Sequence, residues 1–542
     1  MRGLANVNSI QSALTKSVLS SRSSRSLPLL QGILTTGGVA HLSVGATAMG
    51  TPQDSDKTPK IRKRIIVACD GTWQDADSDS ERVHPIWKFW RRERYLMPAS
   101  NVARLCRCIS KEGVDEQGRP VPQLVFYQAG VGTSFMQRLS GGLTGRGITS
   151  NIRDAYSFIC NNYEDGDEIF LFGFSRGAFT VRSLSSLLRT IGILNASGLA
   201  HFYSISQDWK HQNDDIWRLI KTPFADVPWG STKDRRPSPR TVAGQENAYV
   251  QKLKELDLLR SDQAPIGIKA CGVWDTVGSL GIPQVWFLPQ RDSKMYAFVD
   301  TNIESNIEYA FQALALDERR GPFTPTIWAA PTNSPKELKQ CWFRGVHCDV
   351  GGGGYRDQEL ANLSLAWMIT QLESKSLMQF NHDTFWKLME ISARDQTKKI
   401  TGSSPMPELK EWGLGQIHDS MLWYYRLLTK PRIREPRSFT QRQLNPPWWK
   451  QLLSFFSQKP GQPLENTQEC IHSSVSTRWT VADTPCDALR NWSYDRRVRA
   501  WEGPGGKSIP EDKLDGLELE LAKRWGSIVA EANTRAALGG QD

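Results

Sequence analysis

Short apolar runs along the chain predict buried β-strands, and stretches with helical spacing alternate with them. The predicted strands are IIVAC (65–69), QLVFYQAGVG (123–132), EIFLFGFS (168–175), IGIKACGVWDTVG (266–278) and CWFRGVHCDVGGGGY (341–355). The predicted helices span residues 101–109, 147–163, 176–192, 307–318 and 359–372. Because strands alternate with helices, we expect an α/β fold whose mostly parallel sheet has helices on both faces.

Stretches that break this alternation divide the chain into regions. We predict an N-terminal tail at 1–60, an α/β domain at 61–500 and a helical C-terminal tail at 501–542. Within the domain, polar segments at about 205–262 and 375–470 look like large insertions. Residues 1–50 contain basic residues but no Asp or Glu, as mitochondrial transit peptides do, and a disordered tail is the open alternative.

Composition narrows the class of protein. The 542 residues carry a formal net charge of +10, which favours anionic partners such as a membrane surface. The basic residues are mostly dispersed and no zinc spacing is present, so we expect no nucleic-acid partner. The nine cysteines form no CxxC pair, which indicates a reduced, intracellular protein, either mitochondrial or cytoplasmic.

The segment GFSRG (173–177) lies between a predicted strand and a predicted helix. In this context G-x-S-x-G predicts a nucleophile elbow, a tight turn that lifts the serine hydroxyl above the sheet edge. The backbone N–H of the next residue, Arg176, would then point at the oxyanion that forms on the substrate. We therefore predict that Ser175 is a nucleophile; the alternative is a glycine-rich turn without chemistry.

A nucleophilic serine needs a base and an acid that orients the base, in the chain order Ser, Asp or Glu, His. Asp275 and His347 each follow a predicted strand, and open α/β sheets place their sites at such strand ends. We predict these two as the acid and the base. Asp349, His418 and His472 are rivals, and His472 is the alternative base.

Several segments resemble an α/β-hydrolase family that includes the catalytic domains of phospholipase effectors of type VI secretion, with many fungal members. The similar stretches are VACDGTWQ (67–74), SNVARL (100–105), FYQAGVGT (126–133), DEIFLFGFSRGAFTVR (167–182), GVWDTVGSLG (272–281), ALALDERR (313–320) and FRGVHCDVGGGGY (343–355). The resemblance implies an α/β-hydrolase-like fold, a triad of Ser175, Asp275 and His347, and hydrolysis of lipid esters.

The tripeptide Asp70-Gly71-Thr72 ends the first predicted strand. The backbone at Gly71 and Thr72 is a candidate second oxyanion donor; an Asx turn is the alternative. A phosphatase that uses an aspartate two residues earlier is excluded because that position is Ala68. We expect neither a metal nor an organic cofactor.

The segment PPWWKQLLSFFSQKP (446–460) is bounded by prolines and separates aromatic from polar residues at helical spacing. Basic residues precede it: Arg432, Arg434, Arg437 and Arg442. This combination is typical of peripheral contact with an anionic membrane, and packing on the protein core is the alternative.

Taken together, the sequence predicts a serine hydrolase that cleaves a carboxylic ester, of a lipid or phospholipid, with the insertion at 205–262 as a candidate lid. Two alternatives stay open: a catalytically inactive hydrolase fold that serves as a binding or scaffold protein, and an esterase for small soluble esters. The sequence does not indicate an oligomeric state.

Overall fold

The fold is described from a computed structural model. The described residues are 62–71, 79–82, 93–96, 98–130, 146–213, 238–239, 247–261, 266–277, 303–330, 335–397, 411–421, 431–440, 464–482 and 484–537. All of them belong to one compact unit, residues 61–542. The predicted tail at 1–60, the predicted membrane-contact segment 446–460 and Thr72 lie outside the described residues.

An eleven-stranded sheet and a separate hairpin contain the described strands. The strands are β1 (Arg64–Cys69), β2 (Asp79–Arg82), β3 (Glu93–Leu96), β4 (Glu112–Val114), β5 (Pro120–Gln128), β6 (Glu168–Phe174), β7 (Ile268–Trp274), β8 (Ile307–Ala315), β9 (Glu337–Phe343), β10 (Glu469–His472), β11 (Ser493–Asp495), β12 (Ala500–Gly503) and β13 (Lys507–Asp512). The sheet order is β11-β12-β13-β10-β9-β8-β7-β6-β1-β5-β4, and β2 pairs with β3. All neighbours from β13 to β5 are parallel, while the outer pairs are antiparallel.

The described α-helices are α1 (Asn101–Cys108), α2 (Arg146–Asn162), α3 (Arg176–Ile191), α4 (Ala196–Ala200), α5 (Phe202–Lys210), α6 (Ala248–Glu255), α7 (His347–Gly351), α8 (Glu359–Ser374), α9 (His382–Thr397), α10 (Ser473–Val481) and α11 (Gly516–Ala537). Short 3-10 turns occupy Gly321–Phe323, Asp487–Leu489 and Pro504–Gly506. In this part of the chain, no helix is both long and apolar enough to cross a membrane.

Helices cover both faces of the sheet, which confirms the predicted fold class. Side chains alternate along β1: Ile65 and Val67 pack with α2 and α3, whereas Ile66 and Ala68 pack with α1 and α8. Every residue of β1 is buried because the strand has parallel neighbours on both sides and helices above and below. The continuous apolar runs in the sequence reflect this two-sided burial.

The helix predicted at 307–318 is wrong, because residues Ile307–Ala315 form strand β8. The strand lies between β7 and β9 and is buried along most of its length. A strand buried on both faces has no polar side, and its apolar residues can mimic helical spacing by chance. Hydrogen bonds to the parallel neighbours β7 and β9 on its two edges stabilise these residues as a strand rather than as a helix.

The helical tail expected from residue 501 is also wrong in part. Residues Ala500–Gly503 and Lys507–Asp512 are strands of the main sheet, and β13 pairs with β10. Only Gly516–Ala537 is helical, and Leu517, Leu521 and Trp525 of this helix pack into the core. The α/β domain therefore continues well beyond residue 500.

The described parts of the predicted insertion at 205–262 belong to the core. Helices α5 and α6 contribute Ile205, Trp209, Tyr249 and Leu253 to the apolar cluster beside α3. Helices buried in this way are not free to open as a lid. The remainder of this insertion, residues 214–237, 240–246 and 262, lies outside the described residues.

Candidate active site

Ser175 occupies the sharp turn between β6 and α3. Its φ of 56° and ψ of −119° lie in a region that residues with a side chain rarely adopt. Such strain persists only where the surrounding structure enforces it, and it is concentrated at functional sites. The Ser175 N–H donates to the carbonyl of Trp274 at 3.0 Å, which ties the turn to the end of β7.

The two glycines of the motif are required by close packing of the turn. A Cβ atom at Gly173 would lie 2.6 Å from Cα of Ala178, and a Cβ at Gly177 would overlap the carbonyl oxygen of Cys69. Backbone atoms cannot move away as a flexible side chain can. The strand and the helix can therefore approach closely enough to form the elbow only if both positions are glycine.

The loop after β1 lies beside the serine. A Cβ atom at Gly71 would be 3.2 Å from Cβ of Ser175. The Gly71 N–H donates to Oδ1 of Asp70 at 2.7 Å, and Asp70 Oδ2 accepts hydrogen bonds from the hydroxyls of Ser100 and of Tyr127 (2.7 Å for the latter). Asp70 thus fixes this loop and engages the Gly71 N–H. The other predicted oxyanion donor within the described residues is the N–H of Arg176. This residue is the first of α3.

Asp275 and His347 meet although they lie 72 positions apart in the chain. Nδ1 of His347 lies 2.5 Å from Oδ2 of Asp275, and both side chains are buried. Asp275 directly follows β7, and His347 is the first residue of α7. An ionised carboxylate can only accept a hydrogen bond, so Nδ1 carries the proton and Nε2 is the basic nitrogen.

Two aromatic rings fix the plane of the His347 imidazole. The ring of Phe174, which precedes Ser175, packs against it with centroids 4.6 Å apart, and the Phe323 ring meets it edge-on at 5.0 Å. A Cβ at Gly351 would overlap the Phe174 ring, so this glycine of the predicted glycine-rich loop makes room for the ring. The packing brings the imidazole to the sheet edge that carries the elbow.

Burial and charge act in opposite directions on the acid and the base. Burial lowers the pKa of the His347 imidazole below its ordinary value, and the hydrogen bond that the imidazole donates to Asp275 only partly opposes this effect. Burial alone would raise the pKa of the Asp275 carboxyl, but Arg434 and His347 outweigh it and hold that pKa well below its usual range. Asp275 is therefore ionised and the imidazole is neutral near pH 7.

Two further charged residues lie around this pair and are not among the predicted site residues. Arg434 was predicted to belong to a basic surface near a membrane; instead it is buried and forms an ion pair with Asp275. Glu318 accepts the backbone N–H of His347 at 3.3 Å. Burial would raise the pKa of Glu318, but its hydrogen bonds with Arg320 and the charge of Arg434 hold the pKa at about 2. No local pattern around either residue signals these long-range contacts.

The rival histidines have other partners. Nδ1 of His472 is 2.8 Å from Oγ of Ser474, and Nε2 is 2.8 Å from Oε1 of Glu518. With both ring nitrogens bonded, His472 serves as the cap of α10. His418 pairs with Asp349, the third rival, at 2.7 Å. The structure thus brings together Asp275 and His347, while the three rivals pair with other groups.

One group in the described part of the chain could offer three ligand atoms to a metal ion: Cys341, Cys470 and Asp512. However, the Lys339 ammonium already lies 2.7 Å from Oδ1 of Asp512, and the Trp367 indole N–H donates to Oδ2 at 2.8 Å. The carboxylate is therefore neutralised by a protein cation. A metal ion here would have to displace that ammonium group, which disfavours a metal centre.

Comparison with known proteins gives one family match and one similar yeast protein. Residues 63–371, more than half of the chain, match the family described as the Tle1-like phospholipase effector catalytic domain of the type VI secretion system. An uncharacterized protein of Saccharomyces cerevisiae is 26% identical over 255 residues, which are 44% of this chain and 31% of that protein.

Two solved structures are also similar, each at 16% identity. One is the Tle1 effector bound to the VgrG spike from the type VI secretion system, with a TM-score of 0.27 over 54% of this chain and 51% of that chain. The other is an uncharacterized protein from Pseudomonas aeruginosa, with a TM-score of 0.29 over 64% of this chain and 52% of that chain. The match thus spans about half of each solved chain and under a third of the yeast protein. By its match over residues 63–371, the chain belongs to the family of Tle1-like phospholipase effector catalytic domains.

Proposed function

We propose that the protein is a serine hydrolase that cleaves a carboxylic ester of a lipid, most simply a phospholipid. Ser175 attacks the acyl carbonyl while Nε2 of His347 takes the hydroxyl proton, and His347 then gives that proton to the leaving alcohol. Water, activated by the same nitrogen, releases the fatty acid from the acyl-enzyme. Asp275 keeps the imidazole in the required tautomer and stabilises its cation.

One observation carries this proposal: the hydrogen-bonded, buried Asp275–His347 pair lies at the sheet edge that presents Ser175 in a strained turn. A glycine-rich turn without chemistry would need neither the strain nor a carboxylate–imidazole pair. The N-terminus of α3 adds partial positive charge beside the serine, where the oxyanion would form. The lipid substrate class is supported by the family, whose description names a phospholipase.

Labelling with a fluorophosphonate tests the nucleophile directly. We expect the full-length protein to be labelled at one site and the Ser175→Ala variant to be unlabelled, because only an activated serine attacks this probe. Ser183→Ala is the matched control, since Ser183 is buried in α3, the helix that follows Ser175, and should not affect labelling. Equal labelling of both variants would refute the assignment of Ser175.

The substrate class separates the remaining alternatives. A lipid hydrolase should release fatty acid from phospholipid vesicles faster than it cleaves soluble short-chain esters at equal ester concentration. An esterase for small molecules would show the reverse order. A folded wild-type protein that neither labels nor hydrolyses any ester, with vesicles present or absent, would support the scaffold alternative.

The pH dependence of hydrolysis should report the lowered pKa of His347. The imidazole must be neutral to act as a base, so activity is lost as the pH falls through its pKa. Because burial lowers this pKa, we expect kcat/KM to be half-maximal below about pH 6.5, the ordinary histidine value. Initial rates on a soluble ester, with circular dichroism at each pH to verify folding, measure this limb. A midpoint above about pH 7 would contradict the assignment.

A further inference from the structure

Arg434 holds the carboxylate of Asp275 with both of its terminal nitrogens. Nη1 lies 2.7 Å from Oδ1, and Nη2 lies 3.1 Å from Oδ2. The two side chains are buried, with exposed fractions of 3% and 0%. A fork of this kind fixes the carboxylate plane as well as its charge, which a lysine ammonium does not do.

The same guanidinium connects Asp275 to the backbone that surrounds the imidazole. Nη1 also donates to the carbonyl of Ala315 at 2.8 Å, and Nη2 donates to the carbonyl of Phe323. The ring of Phe323 packs edge-on against His347. Arg434 therefore contacts the acid and also fixes the segment that carries one of the rings around the base.

The hydrogen bonds on Asp275 show why its orientation depends on this fork. Oδ1 accepts from the Ala315 N–H at 3.1 Å as well as from Arg434, and Oδ2 is shared between Arg434 and Nδ1 of His347. Rotation of the carboxylate would break all of these bonds. With the fork removed, the carboxylate would keep the hydrogen bonds from the Ala315 N–H and from the imidazole but would lose both bonds from the guanidinium.

Arg434 also sets the charge that the imidazole faces. The carboxylate of Asp275 stabilises a protonated His347, and a guanidinium bound to that carboxylate cancels part of the effect. The other charged or titratable groups around His347 and α7 are Glu318, Arg320, Cys348, Asp349 with its partner His418, and Tyr355. Among these groups Arg320 is the permanent cation. Arg434, unlike Arg320, is bound to the acid itself.

We propose that Arg434 is a positioning residue of the site: its guanidinium fixes the Asp275 carboxylate against His347 and reduces the negative charge behind the imidazole. This inference rests on the proposed serine hydrolase function, and it adds a fourth residue to the proposed triad. Arg434 acts through Asp275 and does not touch the reacting atoms.

The test titrates His347 directly, so it does not depend on turnover. Full-length protein carrying 13C-labelled histidine is titrated by NMR, and His347→Gln identifies the resonance among the eight histidines. We expect Arg434→Gln to raise the pKa of His347 by about one unit, because an unshielded carboxylate favours the imidazolium. Arg64→Gln is the matched control, since Arg64 is equally buried but lies at the start of β1, away from the strand ends that carry the site. A His347 titration unchanged in folded Arg434→Gln would overturn the proposal.

A second variant covers the case in which Arg434→Gln does not fold. Arg434→Lys keeps the charge but loses the fork, so we expect fluorophosphonate labelling on the order of tenfold slower than that of the wild type. Arg64→Lys should label at the wild-type rate, and an equal rate for Arg434→Lys would overturn the positioning role. If the wild type itself does not label, the proposed function fails, whereas the histidine titration still decides whether Arg434 sets the charge at His347.

Discussion

Replacing His347 with alanine is expected to lower kcat for ester hydrolysis on the order of 10⁶-fold, the loss typical of removing the histidine of a serine hydrolase triad. Without the imidazole, nothing accepts the proton of Ser175 as it attacks, and nothing activates water to release the acyl group. The effect should fall on kcat, because the imidazole acts in the transition state and contributes little to substrate binding. Steady-state rates on a soluble ester measure it.

The control for this prediction is His472→Gln, at the position of the alternative base. His472 has partners on both ring nitrogens, so its replacement should affect the stability of α10 while the folded fraction keeps its activity within about tenfold. Thermal unfolding of both variants separates folding from catalysis. If His472→Gln were the inactive variant and folded His347→Ala kept its rate, the base would be misassigned.

Replacing Gly177 with alanine should destabilise the protein more than any surface substitution, by about 4 kcal/mol or more. The new Cβ would overlap the carbonyl oxygen of Cys69 and would lie 2.5 Å from that of Asp70. Relief would require α3 to move away from β1, which would open the core beneath the elbow. Urea unfolding followed by circular dichroism measures the loss.

Gly526→Ala provides a control of opposite sign. Gly526 lies on the exposed side of α11, and a Cβ there meets nothing within 4 Å. Alanine in a helix interior is more stable than glycine by about 1 kcal/mol, so this variant should be slightly more stable than the wild type. If both glycine variants gave the same result, steric overlap at Gly177 would not be the reason why the elbow needs glycine.

The sequence predicts the strands that carry the site because each combines an apolar run with a change to polar or glycine residues at its end. This pattern locates β1, β6, β7 and β9, and it also locates Ser175, Asp275 and His347. It fails at β8, where the polar residues Glu308 and Gln312 lie four positions apart, a spacing that fits one face of a helix as well as one side of a strand. Helix and strand are then indistinguishable by periodicity, and only pairing with β7 and β9 decides between them.

Local patterns find residues at the ends of elements, but they do not find residues that reach the site from a distant segment. Arg434 approaches Asp275 from 159 residues away. In the sequence it is one of several arginines around residues 430–442, and burial alone distinguishes it from Arg432, which is exposed. Tertiary contacts decide which of these arginines is buried, and a single sequence carries no signal for those contacts.

The position of β13 in the sheet has a consequence for how this protein is made. During synthesis the elbow at Ser175 emerges early, but the partner of β10 lies at 507–512 and core side chains lie as late as Trp525. A nascent chain that has reached only residue 500 would expose one edge of β10 and the apolar surface that α11 later covers. Such surfaces favour aggregation, so we expect the nascent chain to be most prone to aggregate before residues 507–537 have been synthesised.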